Sequence, residues 1–100
     1  MMNKIEIAYK KNDKWNREVK SLDEVTREEI VSTHEFHKRS IGRYEQWLEL
    51  NQCQPEDLSS AKRRYAAFRN EFGVTENEIR EYYNKRREAE DARRAALGMV

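Results

Sequence analysis

Apolar and polar residues alternate at the start of the chain and then settle into a three-and-four spacing, which divides it into a strand region and a helical region. Ile5, Ile7 and Tyr9 alternate with Lys4, Glu6 and Lys10, the period of a half-buried strand. After Lys11-Asn12-Asp13-Lys14, residues Trp15, Arg17 and Val19 alternate with Asn16, Glu18 and Lys20. Asn and Asp tolerate the left-handed backbone that a tight turn needs. Residues 4–20 therefore predict a β-hairpin. A lone two-stranded hairpin is marginal in water, so it must pack on helices or gain a strand from elsewhere.

Three helices are predicted after it. Ser21-Leu22-Asp23-Glu24 and Thr26-Arg27-Glu28-Glu29 both match a capping box, which starts the first helix near Leu22 or Arg27. Its stripe runs Ile30, His34, His37, Ile41, Tyr44, Leu48, with Val31, Trp47 and Leu50 widening it. Gly42 inside this stretch marks a break after Ser40, and the helix is expected to end at Asn51. Pro55 suits a first helical position, with Glu56 and Asp57 at the positive end of the helix dipole. Leu58, Ala61, Tyr65, Phe68 and Phe72 then carry a second helix over 55–72. Gly73 can end it in the left-handed conformation. Thr75 and Glu78 form a capping box for a third helix over 76–97, with Val74 and Ile79 placed as a hydrophobic staple. Ile79, Tyr82, Tyr83 and Arg86 mark its inner turns, and beyond Lys85 its apolar residues are alanines until Leu97. The expected fold class is α+β: an N-terminal β-hairpin on a three-helix unit, mostly helical, one domain over residues 1–100.

Composition narrows the function more than it names it. Charged residues make up 39% of the chain, well above an ordinary globular protein, and long helices with solvated outer faces account for them. The net charge is +1, so no global pull toward nucleic acid or anionic lipid is implied. Residues 1–60 carry 10 basic and 12 acidic side chains, and residues 61–100 carry 10 and 7, a mild basic bias at the C-terminal end. The single cysteine excludes an intrachain disulfide and fits a reducing compartment. Without an apolar leader or a membrane-length run, a cytoplasmic location is expected.

Candidate chemistry is sparse. His34 and His37 share a helical face and could share a metal, but the spacing is not that of HExxH, and a place in the half-buried stripe explains both. Cys53 precedes the Pro55 helix, a weak setting for a thiolate that Glu56 and Asp57 oppose. No P-loop, GxGxxG or GxSxG is present, so neither catalytic residues, a metal nor a cofactor is expected, and the chain reads as a non-enzyme.

Two binding classes remain. Residues 58–87 resemble a helix-turn-helix, with Gly73 in the turn. Its nucleic-acid contacts would be Lys62, Arg63, Arg69, Asn77, Arg80, Lys85, Arg86 and Arg87. Glu76, Glu78 and Glu81 at the start of the second helix would be repelled by a duplex. The favoured class is a small interaction or regulatory protein of adaptor or inhibitor type, a kind also found in phages and mobile elements, that binds a partner protein. Its aromatic residues outnumber what a small core can hide, and Tyr, Trp and Arg dominate interface hot spots. The expected contacts are Trp15, Trp47, Arg80, Tyr82, Tyr83, Arg86 and Arg87. A homodimer is open as well, through the hairpin edge or the alanine-rich last helix.

Overall fold

In the computed structural model, which describes residues 3–11 and 14–98, the hairpin consists of β1 (Lys4–Lys11) and β2 (Lys14–Ser21), paired antiparallel with Ala8 opposite Arg17. The turn residues Asn12 and Asp13 lie outside the described residues. A single 3-10 turn, Leu22–Glu24, leads into α1 (Arg27–Glu49), followed by α2 (Pro55–Phe72) and α3 (Glu76–Ala96). This is the hairpin-on-three-helices arrangement that the patterning predicts.

The caps fall where side chains can satisfy free backbone N–H groups. Of the two capping-box matches ahead of α1, Thr26 is the one used: its hydroxyl accepts from the Glu29 N–H at 3.1 Å, and Glu29 accepts from the Thr26 N–H at 2.9 Å. Ser21 makes no cap bond, so the helix begins at Arg27 rather than Leu22. Gly42 causes no break. It sits exposed within a continuous helix, where its missing side chain costs only propensity. The helix stops slightly before Asn51, which takes φ 56° beyond the Leu50 cap. Gly73 closes α2 at φ 58°, its N–H bonded to the Arg69 carbonyl at 2.8 Å. Thr75 and Glu78 cap α3 reciprocally, and Val74 is buried with Ile79 packed beside the core, as a staple requires.

The first half of α1 is the centre of the molecule. Residues Ile30 to Glu35 are all buried, because the hairpin, α2 and α3 each pack on this helix. Ile30, Val31, Phe68, Val74 and Tyr82 form the apolar core, flanked by Ile5, Val25, Phe72 and Ile79. On the hairpin side the join is polar. Thr33 Oγ1 accepts from the Ala8 N–H at 2.9 Å, and Ser32 Oγ donates to the Ala8 carbonyl at 2.8 Å. The outer edge of β1 is therefore held at Ala8 by helix side chains, while the outward backbone of Arg17 and Val19 on β2 has no such partner among the described residues. Among the described residues, no helix is long and apolar enough to cross a membrane.

Candidate partner-binding groove

The space between the Trp15 face of the hairpin and the two helices α1 and α2 is an open groove of about 510 Å³. Strand alternation puts Glu6, Trp15 and Arg17 on one face of the hairpin, and these form the first wall. Phe36, His37, Ser40, Arg43, Tyr44 and Trp47 of α1 form the floor, spaced so that they follow one face of the helix. Ala61 and Arg64 of α2 close the opposite wall. The small Ala61 side chain leaves room there that a larger residue would fill.

Aromatic contacts fix the geometry. Trp15 meets Phe36 edge-on with centroids 5.4 Å apart, and Trp47 meets Tyr44 likewise at 5.3 Å. Arg43 lies over the Trp47 ring at 6.0 Å, within the range of a cation–π contact. Trp47 nonetheless remains 37% exposed, a large ring in the groove lining flanked by Tyr44 and Arg43.

The charge of the groove is positive. Arg17, Arg43 and Arg64 face one carboxylate, Glu6, which Arg17 contacts at 3.4 Å. His37 adds little to this at neutral pH: burial, aided by the positive charge of Arg64 and by His34, lowers its pKa below the ordinary value. A ligand with acidic and apolar groups would meet complementary chemistry here.

A second polar cluster lies deeper. His34 is fully buried, its Nδ1 2.7 Å from Glu35 Oε2 and its ring 4.9 Å from that of Tyr65. Glu35 Oε1 accepts from the Tyr83 hydroxyl at 2.7 Å. Burial, together with this bond to Glu35, pushes the Tyr83 phenol up to about 12. His34 Nε2 has no hydrogen-bond partner among the described residues. The cluster has acid–base groups but no opening onto the groove, whose floor is made by His37. His34 and His37 do not form a metal site with a third ligand: among the described residues, no group of three or more His, Cys, Asp or Glu could hold an ion. Cys53 donates weakly to the Tyr44 carbonyl at 3.5 Å, and burial with the nearby Asp57 raises its pKa, which disfavours the thiolate.

The residues singled out from the sequence fall into separate places. Trp15 and Trp47 come together in the groove. Tyr82 sits in the core, 8% exposed, with Arg86 over its ring at 5.6 Å. Tyr83 stacks edge-on against Tyr82 at 5.3 Å and is tied to Glu35. Arg80 and Arg87 are exposed along α3, away from the groove lining. Among the basic residues considered for nucleic acid, Arg69 is engaged by Glu76 at 3.1 Å and by the Tyr65 hydroxyl at 3.4 Å. Lys62, Arg63, Asn77 and Lys85 are exposed. The groove residues Arg17, Phe36, Arg43 and Arg64 escape sequence reasoning as a set because they come from the hairpin and two helices. The signal within reach was the helical spacing of Phe36, Arg43 and Trp47 around Ser40.

No protein-family model, curated protein or solved structure matches the chain.

Proposed function

We propose that this chain is a small non-enzymatic interaction protein, of adaptor or inhibitor type, that binds an acidic and apolar segment of a partner protein in the groove between the hairpin and α1. The observation that carries this reading is the conjunction in one groove of a partly exposed tryptophan with three arginines against one carboxylate. Aromatic and arginine side chains held in a recess are the residues that contribute most at interfaces. Trp47 and Trp15 serve as anchors, and Arg17, Arg43 and Arg64 as charged contacts. Tyr83, Arg80 and Arg87 lie outside the groove and would extend the contact only with a partner that also reaches α3.

The helix-turn-helix alternative has less support. The start of α3 presents Glu76 and Asn77, its Glu78 carboxylate is bound by Arg27, and Arg69 is already paired with Glu76. The test is capture from an extract of the native source on the immobilised chain, with and without nuclease, followed by affinity measurement on the recovered partner. Trp47→Ala should weaken binding by about tenfold or more, the loss expected of a hot-spot ring, without moving the unfolding midpoint. A nuclease-sensitive capture, or a partner held equally well by Trp47→Ala and Arg43→Glu, would overturn the reading.

A further inference from the structure

The two edges of the hairpin are treated differently by the fold. Ala8 turns both its N–H and its carbonyl toward α1, where Thr33 and Ser32 take them. Beyond the strand ends the Leu22 N–H bonds the Asn3 carbonyl at 3.0 Å. Together with the register, these bonds make the odd-numbered residues of β1 the hydrogen-bonded partners of even-numbered residues on β2. Arg17, Val19 and Ser21 therefore direct their backbone groups away from β1. Among the described residues nothing bonds those of Arg17 and Val19, and Val19 is 60% exposed.

We propose that β2 is a dimerisation edge, joining antiparallel to β2 of a second copy with Val19 on the two-fold axis to give a sheet of order β1-β2-β2-β1. Outward backbone groups must meet outward backbone groups, so odd-numbered residues face odd-numbered residues. The possible registers then differ in charge. Centring on Arg17 sets guanidinium against guanidinium, on Lys20 ammonium against ammonium, and on Glu18 carboxylate against carboxylate, which is destabilising for directly opposed residues. Centring on Asn16 satisfies the charges but leaves Val19 exposed. Centring on Val19 sets Glu18 opposite Lys20 in both directions, places Arg17 opposite Ser21 and covers the Val19 side chains with each other. Within one copy, the Glu18 side chain makes no hydrogen bond or close ion pair among the described residues, and its charge acts on Lys20 only along the same strand. The Lys20 ammonium, 2.7 Å from Glu29, has donors left for a second carboxylate.

Charged edge strands usually resist pairing. Here the alternation of sign deters foreign strands while fitting the second copy. The pairing stands whether or not the groove takes a ligand. Because the axis is perpendicular to the sheet, both Trp15 faces turn to the same side, and the dimer presents its two grooves together. The joined area is that of one short strand, so the association belongs to the weak class of interfaces.

Two measurements decide it. Sedimentation from about 1 μM to 1 mM, the range that weak complexes span, should show a monomer–dimer equilibrium that Glu18→Lys weakens about tenfold or more by opposing lysine to lysine. In a Cys53→Ser background, Val19→Cys should oxidise to a disulfide-linked dimer, since directly paired Cα atoms about 5.5 Å apart lie within disulfide reach. Arg17→Cys and Glu18→Cys should crosslink at least several-fold more slowly. A monomer throughout that range, a Glu18→Lys chain that associates as well as the unmodified one, or faster crosslinking at Arg17→Cys or Glu18→Cys would overturn the proposal.

Discussion

Replacing Glu78 by Gln should unfasten the α2–α3 junction from the start of α1, and the cost should depend on pH. Arg27 Nε and Nη2 reach the two oxygens of the Glu78 carboxylate at 2.5 and 3.0 Å, and Nη2 also donates to the Gly73 carbonyl at 3.1 Å. The same carboxylate accepts from the Thr75 N–H at 3.1 Å. Arg27 first, with the Thr75 bonds adding, holds its pKa down from 4.5 to about 2. A tenfold change in acidity corresponds to about 1.4 kcal/mol, which would make the full effect ~3 kcal/mol. The Arg27 side chain is 48% exposed and that of Glu78 24%, so solvent screening reduces this to about 1–2 kcal/mol. Gln preserves the reciprocal cap, so Glu78→Gln loses only the charged part, while Glu78→Ala should cost about 1 kcal/mol more. In a domain of this size each kcal/mol moves the midpoint by roughly 4–8 °C. The folded-state pKa lies below the unfolded one, so the stabilisation is complete above about pH 4.5 and disappears as the pH falls toward 2. Chemical denaturation of both chains at neutral pH and near pH 2 measures the gap. If Glu78→Gln were as stable as the parent at neutral pH, or the gap persisted unchanged in acid, the Arg27 pair would not be what holds the junction.

Two further outcomes test the buried polar contacts. Thr33→Val keeps the shape of the side chain but leaves the Ala8 N–H without its acceptor, and should cost about 1–3 kcal/mol, with the β1 amides losing protection first. Tyr83→Phe removes the donor to Glu35 and with it an alkaline sensitivity. The Tyr83 phenol is raised to about 12 from 10, so its contribution is full below about pH 10 and is lost as the pH climbs toward 12. Over that window the parent should lose more stability than the Phe variant in denaturant titrations, and parallel curves would count against the Glu35 contact.

The backbone was far more legible than the site. Caps and turns are local, so Thr75, Glu78, Pro55 and Gly73 could be assigned from neighbours a few residues away, whereas Ser21 and Thr26 offered equal caps and only the structure separates them. Hydrophobic spacing likewise found α1 and put His34 on its inner stripe, but it could not show that Ser32, Thr33 and Glu35 are buried, because nothing in a polar run announces that three elements will surround it. Thr33 is buried to serve a strand 25 residues away, a requirement set by tertiary packing alone. Tyr82 and Tyr83 look equivalent in sequence and part company in space, one in the core and the other tied to a buried acid. The groove combines residues from the hairpin and two helices, whose meeting depends on the angle at which the hairpin lies on α1.

The central position of α1 also shapes how the molecule opens. The hairpin, α2 and α3 each make their main packing contacts with that helix, and α2 and α3 also share one core through Phe68, Val74 and Tyr82, so the hairpin can detach without first disturbing the other two. Amide exchange should then reveal separate opening units of unequal free energy. The later turns of α3 are exposed from Arg87 onward and, as a short helix with little tertiary support, should exchange fastest. The Ile30–Glu35 amides, enclosed on every side, should exchange only when the whole chain unfolds, making that stretch the natural gauge of global stability.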